Sequence, residues 1–124
     1  MKYLWFSLLV CVGCTLRPPA QLYNPQNEKA AIESWSDAYN RADVQALRQL
    51  VHPLKKGQYD LEKARISHQL KTWRFKSYLI GEQVRINERL LGRKVIMNYH
   101  DGQLELPREQ LVVSSEGRWW FWSF

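Results

Sequence analysis

The spacing of apolar residues changes twice along the chain. Residues 3–13 form a mostly apolar run after a single cation, Lys2. Between Glu28 and Val51, apolar residues recur every three or four positions, a period that predicts amphipathic helices. From Tyr78 onward they alternate with polar residues, which predicts strands. The pattern therefore indicates an α+β protein, with helices first and an antiparallel sheet after them.

Three helices are predicted before the strands. Asn24 and Pro25 have the order of a helix cap and a proline at the first helical position. Asp43 is expected to cap a second helix, and Pro53 is expected to end it. Asp60 is expected to cap a third helix, whose apolar residues are spaced less regularly than those of the other two.

Four strands with short connections are predicted in the second half. Asp101-Gly102 indicates a two-residue hairpin of type I′, and Glu116-Gly117 indicates a second tight turn. Pro107 interrupts the third strand, which favours an edge position or a bulge there because proline cannot donate a ladder hydrogen bond. The expected sheet is a four-stranded antiparallel meander packed on three N-terminal helices.

The two cysteines, Cys11 and Cys14, lie at the end of the first apolar run. A run of eleven residues is too short to cross a bilayer, which takes about 20 in a helix. A redox pair should open a helix in a folded domain, and a zinc site needs further ligands, whereas the three histidines have no paired spacing. A short apolar run after one cation is typical of a secretory signal. Redox and zinc chemistry remain as weaker alternatives.

The segment Val12-Gly13-Cys14 resembles the lipobox of bacterial lipoproteins, with Cys11 where leucine is usual. The resemblance implies cleavage after Gly13 and acylation of Cys14, and two acyl chains suffice for a stable anchor. It also implies that Thr15 directs the protein to the outer membrane, facing the periplasm. The alternative is an ordinary secretory peptide cut near Ala20.

This resemblance divides the chain into three parts. Residues 1–13 are expected to be the lipoprotein signal peptide, residues 14–26 the lipidated cysteine and its tether, and residues 27–124 one folded domain. A chain of this length has room for a single core. The membrane, contacted through acylated Cys14, is the first expected partner.

The formal net charge of +6 is concentrated in the middle of the chain. Eleven cations and four carboxylates lie between Lys55 and Lys94. Such a surface attracts anionic lipid, acidic proteins or nucleic acid. No nucleic-acid-binding motif is present, so no nucleic-acid partner is expected. A solvated basic face is the simpler alternative.

A second resemblance covers residues 27–124. The turn Asn40-Arg41-Ala42-Asp43, the helix ending Leu50-Val51-His52-Pro53 and the closing G-x-W strand at Gly117 are similar to the nuclear transport factor 2-like superfamily. The resemblance implies a strongly curved sheet that wraps around the helices as a cone with a pocket at its open end. Members include enzymes such as ketosteroid isomerase and non-catalytic binding proteins, so the fold alone does not give the function.

No credible acid-base group follows from the residues. His100 and Asp101 are neighbours on a strand and point to opposite faces. Glu82 falls on the apolar face of the first strand, where burial would raise its pKa, unless a bulge at Gly81 turns it to solvent. No nucleophile or nucleotide-binding motif is present. We therefore predict no catalytic residue, no cofactor and no metal.

The closing strand, RWWFWSF, is apolar on both faces. One aromatic row is expected to fill the core, and the other is covered by arginine side chains or by a partner, since each aromatic buries on the order of 150–250 Å². The residues of a possible pocket or interface are Trp35, Tyr39, Tyr78, Met97, Tyr99, Trp119, Trp120, Phe121 and Trp122.

The sequence thus predicts a lipid-anchored envelope protein that acts as a non-catalytic binding or assembly module. Its protein partner would be another envelope protein or a second copy of the chain. The alternatives are a small-molecule-binding or enzymatic pocket of the ketosteroid isomerase type and a structural component of an envelope secretion complex.

Overall fold

The computed structural model describes residues 24–124, which form four α-helices followed by four strands. The helices are α1 Glu28–Asn40, α2 Val44–Leu50, α3 Lys56–Leu61 and α4 Lys63–Thr72, with a 3₁₀ turn at Pro53–Lys55 between α2 and α3. The strands are β1 Trp73–Arg85, β2 Leu91–Asp101, β3 Leu104–Ser115 and β4 Arg118–Phe121. The α+β class and the four-stranded antiparallel sheet are confirmed, whereas the predicted count of three helices is wrong.

The first helix begins three residues later than predicted. Asn27 is its cap, and its side-chain oxygen accepts a hydrogen bond from the backbone N–H of Ala30 at 2.8 Å. Pro25 is buried, and its carbonyl accepts the N–H of Trp119 at 3.0 Å. The residues before α1 are therefore held against the last strand instead of continuing the helix.

The second helix agrees with the sequence prediction. Asp43 caps it by accepting a hydrogen bond from the N–H of Ala46 at 3.0 Å. Ala42, which precedes the cap, has a φ of 56°, a left-handed conformation that turns the chain sharply between α1 and α2. The tight turn places the two helices side by side.

The predicted third helix corresponds to α4, and α3 precedes it as an additional helix that the sequence did not indicate. Tyr59 is fully buried and donates a hydrogen bond to the carbonyl of Val44 at 2.9 Å, which fixes α3 ahead of the expected start. Asp60 lies inside α3 and accepts two hydrogen bonds from Arg48 at 2.8 and 2.9 Å, so it does not act as a cap. The helix breaks at Glu62, and α4 turns a new face toward the core.

The sheet is open, with the strands in sequence order and all neighbours antiparallel. Asp101 pairs with Leu104, so the first hairpin loop is Gly102-Gln103, one residue beyond the predicted position. Gly102 has a φ of 64° at the first loop position, which fits type II′ instead of type I′. Glu116 and Gly117 both have positive φ, as the second predicted turn requires.

Proline and glycine mark irregularities of the sheet. The register of β1 against β2 shifts between Ile80 and Gln83, which confirms a bulge at Gly81. Pro107 pairs with Asn98 of β2, but β4 pairs with β3 only from Val112 onward, so the other side of Pro107 is an open edge. The edge position explains how a proline is accommodated inside a strand.

The core lies between the helices and one face of the sheet. The β2 residues Val95, Met97 and Tyr99 alternate into it and are buried, as their spacing predicts. From α1, Trp35 stacks on Phe121 of β4 with ring centroids 4.3 Å apart. The first helix of the domain is therefore packed against its last strand.

Candidate functional site

A small cavity lies in the interior of the described part of the chain. Its volume is about 20 Å³, close to the space that one water molecule needs. Of the predicted pocket residues, Trp35, Tyr39 and Tyr99 line it. The other lining residues are Ile66, Gln69, Trp73, Arg108, Gln110 and Phe124.

A chain of buried hydrogen bonds forms one wall of this cavity. The Nε1–H of Trp35 donates to the hydroxyl of Tyr99 at 3.1 Å, and that hydroxyl donates to Oε1 of Gln110 at 2.6 Å. The Nε2–H of Gln110 donates to the carbonyl of Ser123 at 3.2 Å. The network ties α1 to the sheet and to the C-terminal residues.

Tyr39 lies beside this network without joining it. Its ring centroid is 4.7 Å from that of Tyr99, but its hydroxyl is buried and has no hydrogen-bond partner among residues 24–124. Burial raises the pKa of Tyr39 to about 12. The phenol therefore stays protonated at neutral pH.

The other predicted pocket residues lie elsewhere. Met97 is fully buried in the core. Tyr78 is half-buried on β1, with its ring centroid 6.4 Å from that of Phe75. Trp120 lies outside the cavity, on the other face of β4. The structure therefore does not bring the predicted pocket residues together around one open site.

The two aromatic rows of the closing strand have different surroundings. Phe121 is fully buried, and Trp119 packs against the core beside it. Trp120 and Trp122 face the loop after α2, where His52 lies between them with ring centroids 5.7 and 5.3 Å away. One row thus belongs to the core, and the other forms part of a surface layer.

This surface layer alternates cations and aromatic rings. The guanidinium of Arg118 lies 3.7 Å from the ring centroid of Trp120, and the Nζ of Lys55 lies 4.9 Å from that of Trp122. Both distances are within the range of cation–π attraction. We call these residues together the tryptophan–cation stack: His52, Lys55, Arg118, Trp120 and Trp122.

His52 is the central residue of the stack and is only 6% exposed. Its backbone N–H donates to the carbonyl of Phe121 at 2.9 Å, and its Nδ1 accepts the N–H of Leu54 at 3.1 Å. A ring nitrogen that accepts is unprotonated, so the neutral imidazole is the form that fits. Burial lowers the pKa of His52, with Lys56 acting in the same direction and Glu116 against it.

A groove opens beside the stack and shares His52 with it. Its volume is about 630 Å³, within the range of ligand-binding sites. The groove lies between the loop after α2, the β1–β2 connection and the β3–β4 turn. Its lining residues are His52, Pro53, Leu54, Asn87, Arg89, Leu90, Ser114, Ser115 and Glu116.

Hydrogen bonds fix the shape of the β1–β2 connection at this groove. The side-chain oxygen of Asn87 accepts the N–H groups of Arg89 and Leu90 at 2.8 and 2.9 Å. Arg85 donates to the carbonyls of Asn87 and Glu88 from the strand below. These hydrogen bonds therefore fix the backbone that carries Arg89 at the groove.

The groups weighed for catalysis are on the surface. Glu82 is exposed on the bulge of β1, and its carboxylate lies 3.6 Å from the Nζ of Lys94. His100 contacts the carbonyl of Gly102 in the hairpin. Among residues 24–124, no group of histidine, cysteine and acidic side chains is placed to hold a metal ion. None of the helices in this range is long and apolar enough to cross a membrane.

Gly13 and Cys14 lie outside the described residues. The sequence did not single out the groove, because its three segments, residues 52–54, 87–90 and 114–116, are 24 or more positions apart along the chain. Asn87 followed by a charged residue and Leu90 was the only local indication, and it is typical of any polar turn.

These observations define an α+β domain with a closed interior and a basic, aromatic recess on its outside. No protein-family model and no curated protein matches the chain. Two solved structures are similar to it. One is a SEC-C motif containing protein from Rhodopseudomonas palustris, with a TM-score of 0.56, 15% identity, and coverage of 91% of this chain and 85% of that one.

The other is a SEC-C motif containing protein from Psychrobacter arcticus, with a TM-score of 0.57 and 9% identity. The match covers 90% of this chain and 65% of that one. At such low identity these likenesses concern the fold alone.

The resemblance to lipoproteins with a nuclear transport factor 2-like domain is therefore wrong, since the structural neighbours are SEC-C motif containing proteins and no sequence relative supports it. The marks that suggested it have local causes. The turn Asn40-Arg41-Ala42-Asp43 is a left-handed residue followed by a helix cap, which many helix pairs share.

Proposed function

We propose that the domain is a non-catalytic binding module that docks a partner protein over the groove and the tryptophan–cation stack. The observation that carries this proposal is the distribution of space: about 630 Å³ on the outside against about 20 Å³ inside. A substrate-sized molecule has no room in the interior cavity. The enzyme alternative therefore receives no support from the core.

The chemistry of the outer recess suits protein recognition. Tryptophan and arginine are enriched at the energetic centres of protein interfaces. In the stack, Trp122 and Arg118 are partly exposed, whereas Trp120 is 9% exposed and covered by Arg118. Leu54 stands at the edge of the groove with 73% of its surface exposed. An exposed leucine next to buried aromatics is the arrangement that a docking partner would cover.

Two exposed leucines provide a matched test. A photo-crosslinking amino acid is introduced at Leu54, and as a control at Leu61, which is 88% exposed on α3 and outside the groove. Both variants are made in the full chain and irradiated in the native cell. The proposal predicts a defined crosslinked product from position 54 that position 61 does not give.

The proposal fails if both positions give the same products or none. A product of twice the chain mass would instead assign the face to a second copy of the protein. Residues at exposed positions contribute little to stability, so both variants should fold. Circular dichroism checks this in either case.

Attachment to a membrane through Cys14 stays a prediction from the leader residues. Replacing Cys14 with serine should release the chain from membrane fractions or leave it unprocessed, whereas Cys11→Ser should change little. Equal effects of the two substitutions would contradict the separate roles of the cysteines. The fractions also test the predicted location in the envelope, facing the periplasm.

A further inference from the structure

We propose that the groove takes an acidic segment of the partner protein, whose carboxylates meet the cations around the groove while an apolar side chain packs on Leu54. This inference rests on the proposed binding function and adds the chemistry of the partner.

Three cations beside the groove form no ion pair with any of the residues that the structure describes. Lys55, Lys56 and Arg89 have no carboxylate within 4.0 Å among residues 24–124. Lys94, on the outer face of the sheet, lies near two carboxylates, those of Glu82 and Glu109. The positive charge beside the groove is therefore available to a ligand.

Lys56 adds to the positive charge next to the stack, since its Nζ lies 5.7 Å from the ring centroid of Trp120. Its Nζ donates to the carbonyls of Arg48 and Val51 at 2.6 and 2.8 Å, which holds the ammonium group in place. Burial lowers the pKa of Lys56, the charges of Arg48 and Arg118 lower it further, and the charge of Asp60 acts against them. A carboxylate arriving here would relieve repulsion among cations that the fold has fixed close together.

The groove also has an apolar part. Leu90 is 8% exposed and lies across from the exposed side chain of Leu54. A purely polar anion would leave Leu54 uncovered. A peptide with both acidic and apolar residues would satisfy both parts, which favours a protein segment over a nucleic acid.

Glu116 gives the test its direction, because it is the one carboxylate among the residues that line the groove. Its charge opposes an acidic ligand, whereas that of Arg89 attracts one. The variant Glu116→Gln should therefore tighten binding, and Arg89→Gln should weaken it. Lys71→Gln serves as the control, because Lys71 is exposed on α4, away from the groove.

The probe is a fluorescein-labelled peptide in which glutamates flank leucines, and binding to the full chain is measured by fluorescence anisotropy. The comparison peptide has glutamine in place of every glutamate. We expect the acidic peptide to bind and Arg89→Gln to weaken it about threefold to fivefold, with a similar change in the opposite direction for Glu116→Gln. Raising the salt concentration should weaken binding as well.

Equal binding of the two peptides would overturn the inference, as would a Glu116→Gln variant that binds no better than the native chain. Tighter binding to a single-stranded oligonucleotide or to vesicles of anionic lipid would also overturn it. The two proposals fail separately: a specific crosslink from position 54 with no charge dependence leaves the binding function and removes the acidic partner.

Discussion

Two buried tyrosines differ in whether the phenol hydroxyl is hydrogen-bonded, so removing the hydroxyl from each one tests what the hydrogen bonds contribute. Tyr39 and Tyr99 are each 3% exposed, and their rings are neighbours. The hydroxyl of Tyr99 accepts from Trp35 and donates to Gln110, whereas that of Tyr39 has no partner in the part of the chain that the structure describes. The substitutions Tyr99→Phe and Tyr39→Phe therefore change the same atom with opposite expectations.

Tyr99→Phe leaves the indole N–H of Trp35 and the amide oxygen of Gln110 buried without this partner. An unpaired buried polar group costs about 1–3 kcal/mol, so the variant should lose about 2–4 kcal/mol of unfolding free energy. For a domain of this size, that loss corresponds to a decrease in Tm of roughly 10–30 °C. Tyr39→Phe removes a hydroxyl that is already unpaired, so stability should stay within about 0.5 kcal/mol or rise by about 1 kcal/mol.

Urea unfolding followed by tryptophan fluorescence measures both values, and circular dichroism checks that both variants fold. The loss of a hydroxyl from a phenol ring is common to the two, so their difference isolates the hydrogen bonds. Equal losses in the two variants would refute the reasoning, because Tyr39 would then have a partner of similar value, such as a water molecule in the interior cavity.

Two further results are expected from groups outside this network. Burial lowers the pKa of His52, so the folded state favours neutral imidazole, and the unfolding free energy should fall as the pH decreases below about 6.5. In urea titrations, the variant His52→Asn should show a weaker pH dependence. The control variant His68→Asn, at an exposed position, should keep the pH dependence of the native chain. At Gly92 an added Cβ would lie 2.7 Å from the carbonyl oxygen of Val112, so Gly92→Ala should cost about 1–3 kcal/mol. In α3, a Cβ added at Gly57 would have no atom within 4 Å, so Gly57→Ala should instead raise the free energy of unfolding by about 0.5–1 kcal/mol. Thermal unfolding measures both variants, and a Tm shift in the same direction for the two would contradict this expectation.

The sequence predicted the features that depend on a few neighbouring residues. Asp43 caps α2, Glu116 and Gly117 form a tight turn, and Val95 and Met97 alternate into the core. Each of these follows from backbone geometry within four or five positions, where side-chain type and spacing are sufficient information. The α+β class follows from the same short-range periods.

Tertiary structure decided the rest. Two contacts hold α3 against α2: Tyr59 donates to the carbonyl of Val44, and Arg48 of α2 donates to Asp60. The helical chain therefore breaks at Glu62, whereas the sequence had indicated one helix that starts after Asp60. Leu61, at the end of α3, is consequently exposed.

The candidate site has the same origin. His52, Arg89 and Glu116 are far apart in the chain and meet only because the sheet brings the β1–β2 connection and the β3–β4 turn to the loop after α2. Short-range patterns carry no information about such a meeting, since it depends on how helices and sheet pack together. The sequence alone therefore determined the α+β class, the four strands and the helix cap at Asp43, whereas packing determined the break between α3 and α4 and where side chains form a site.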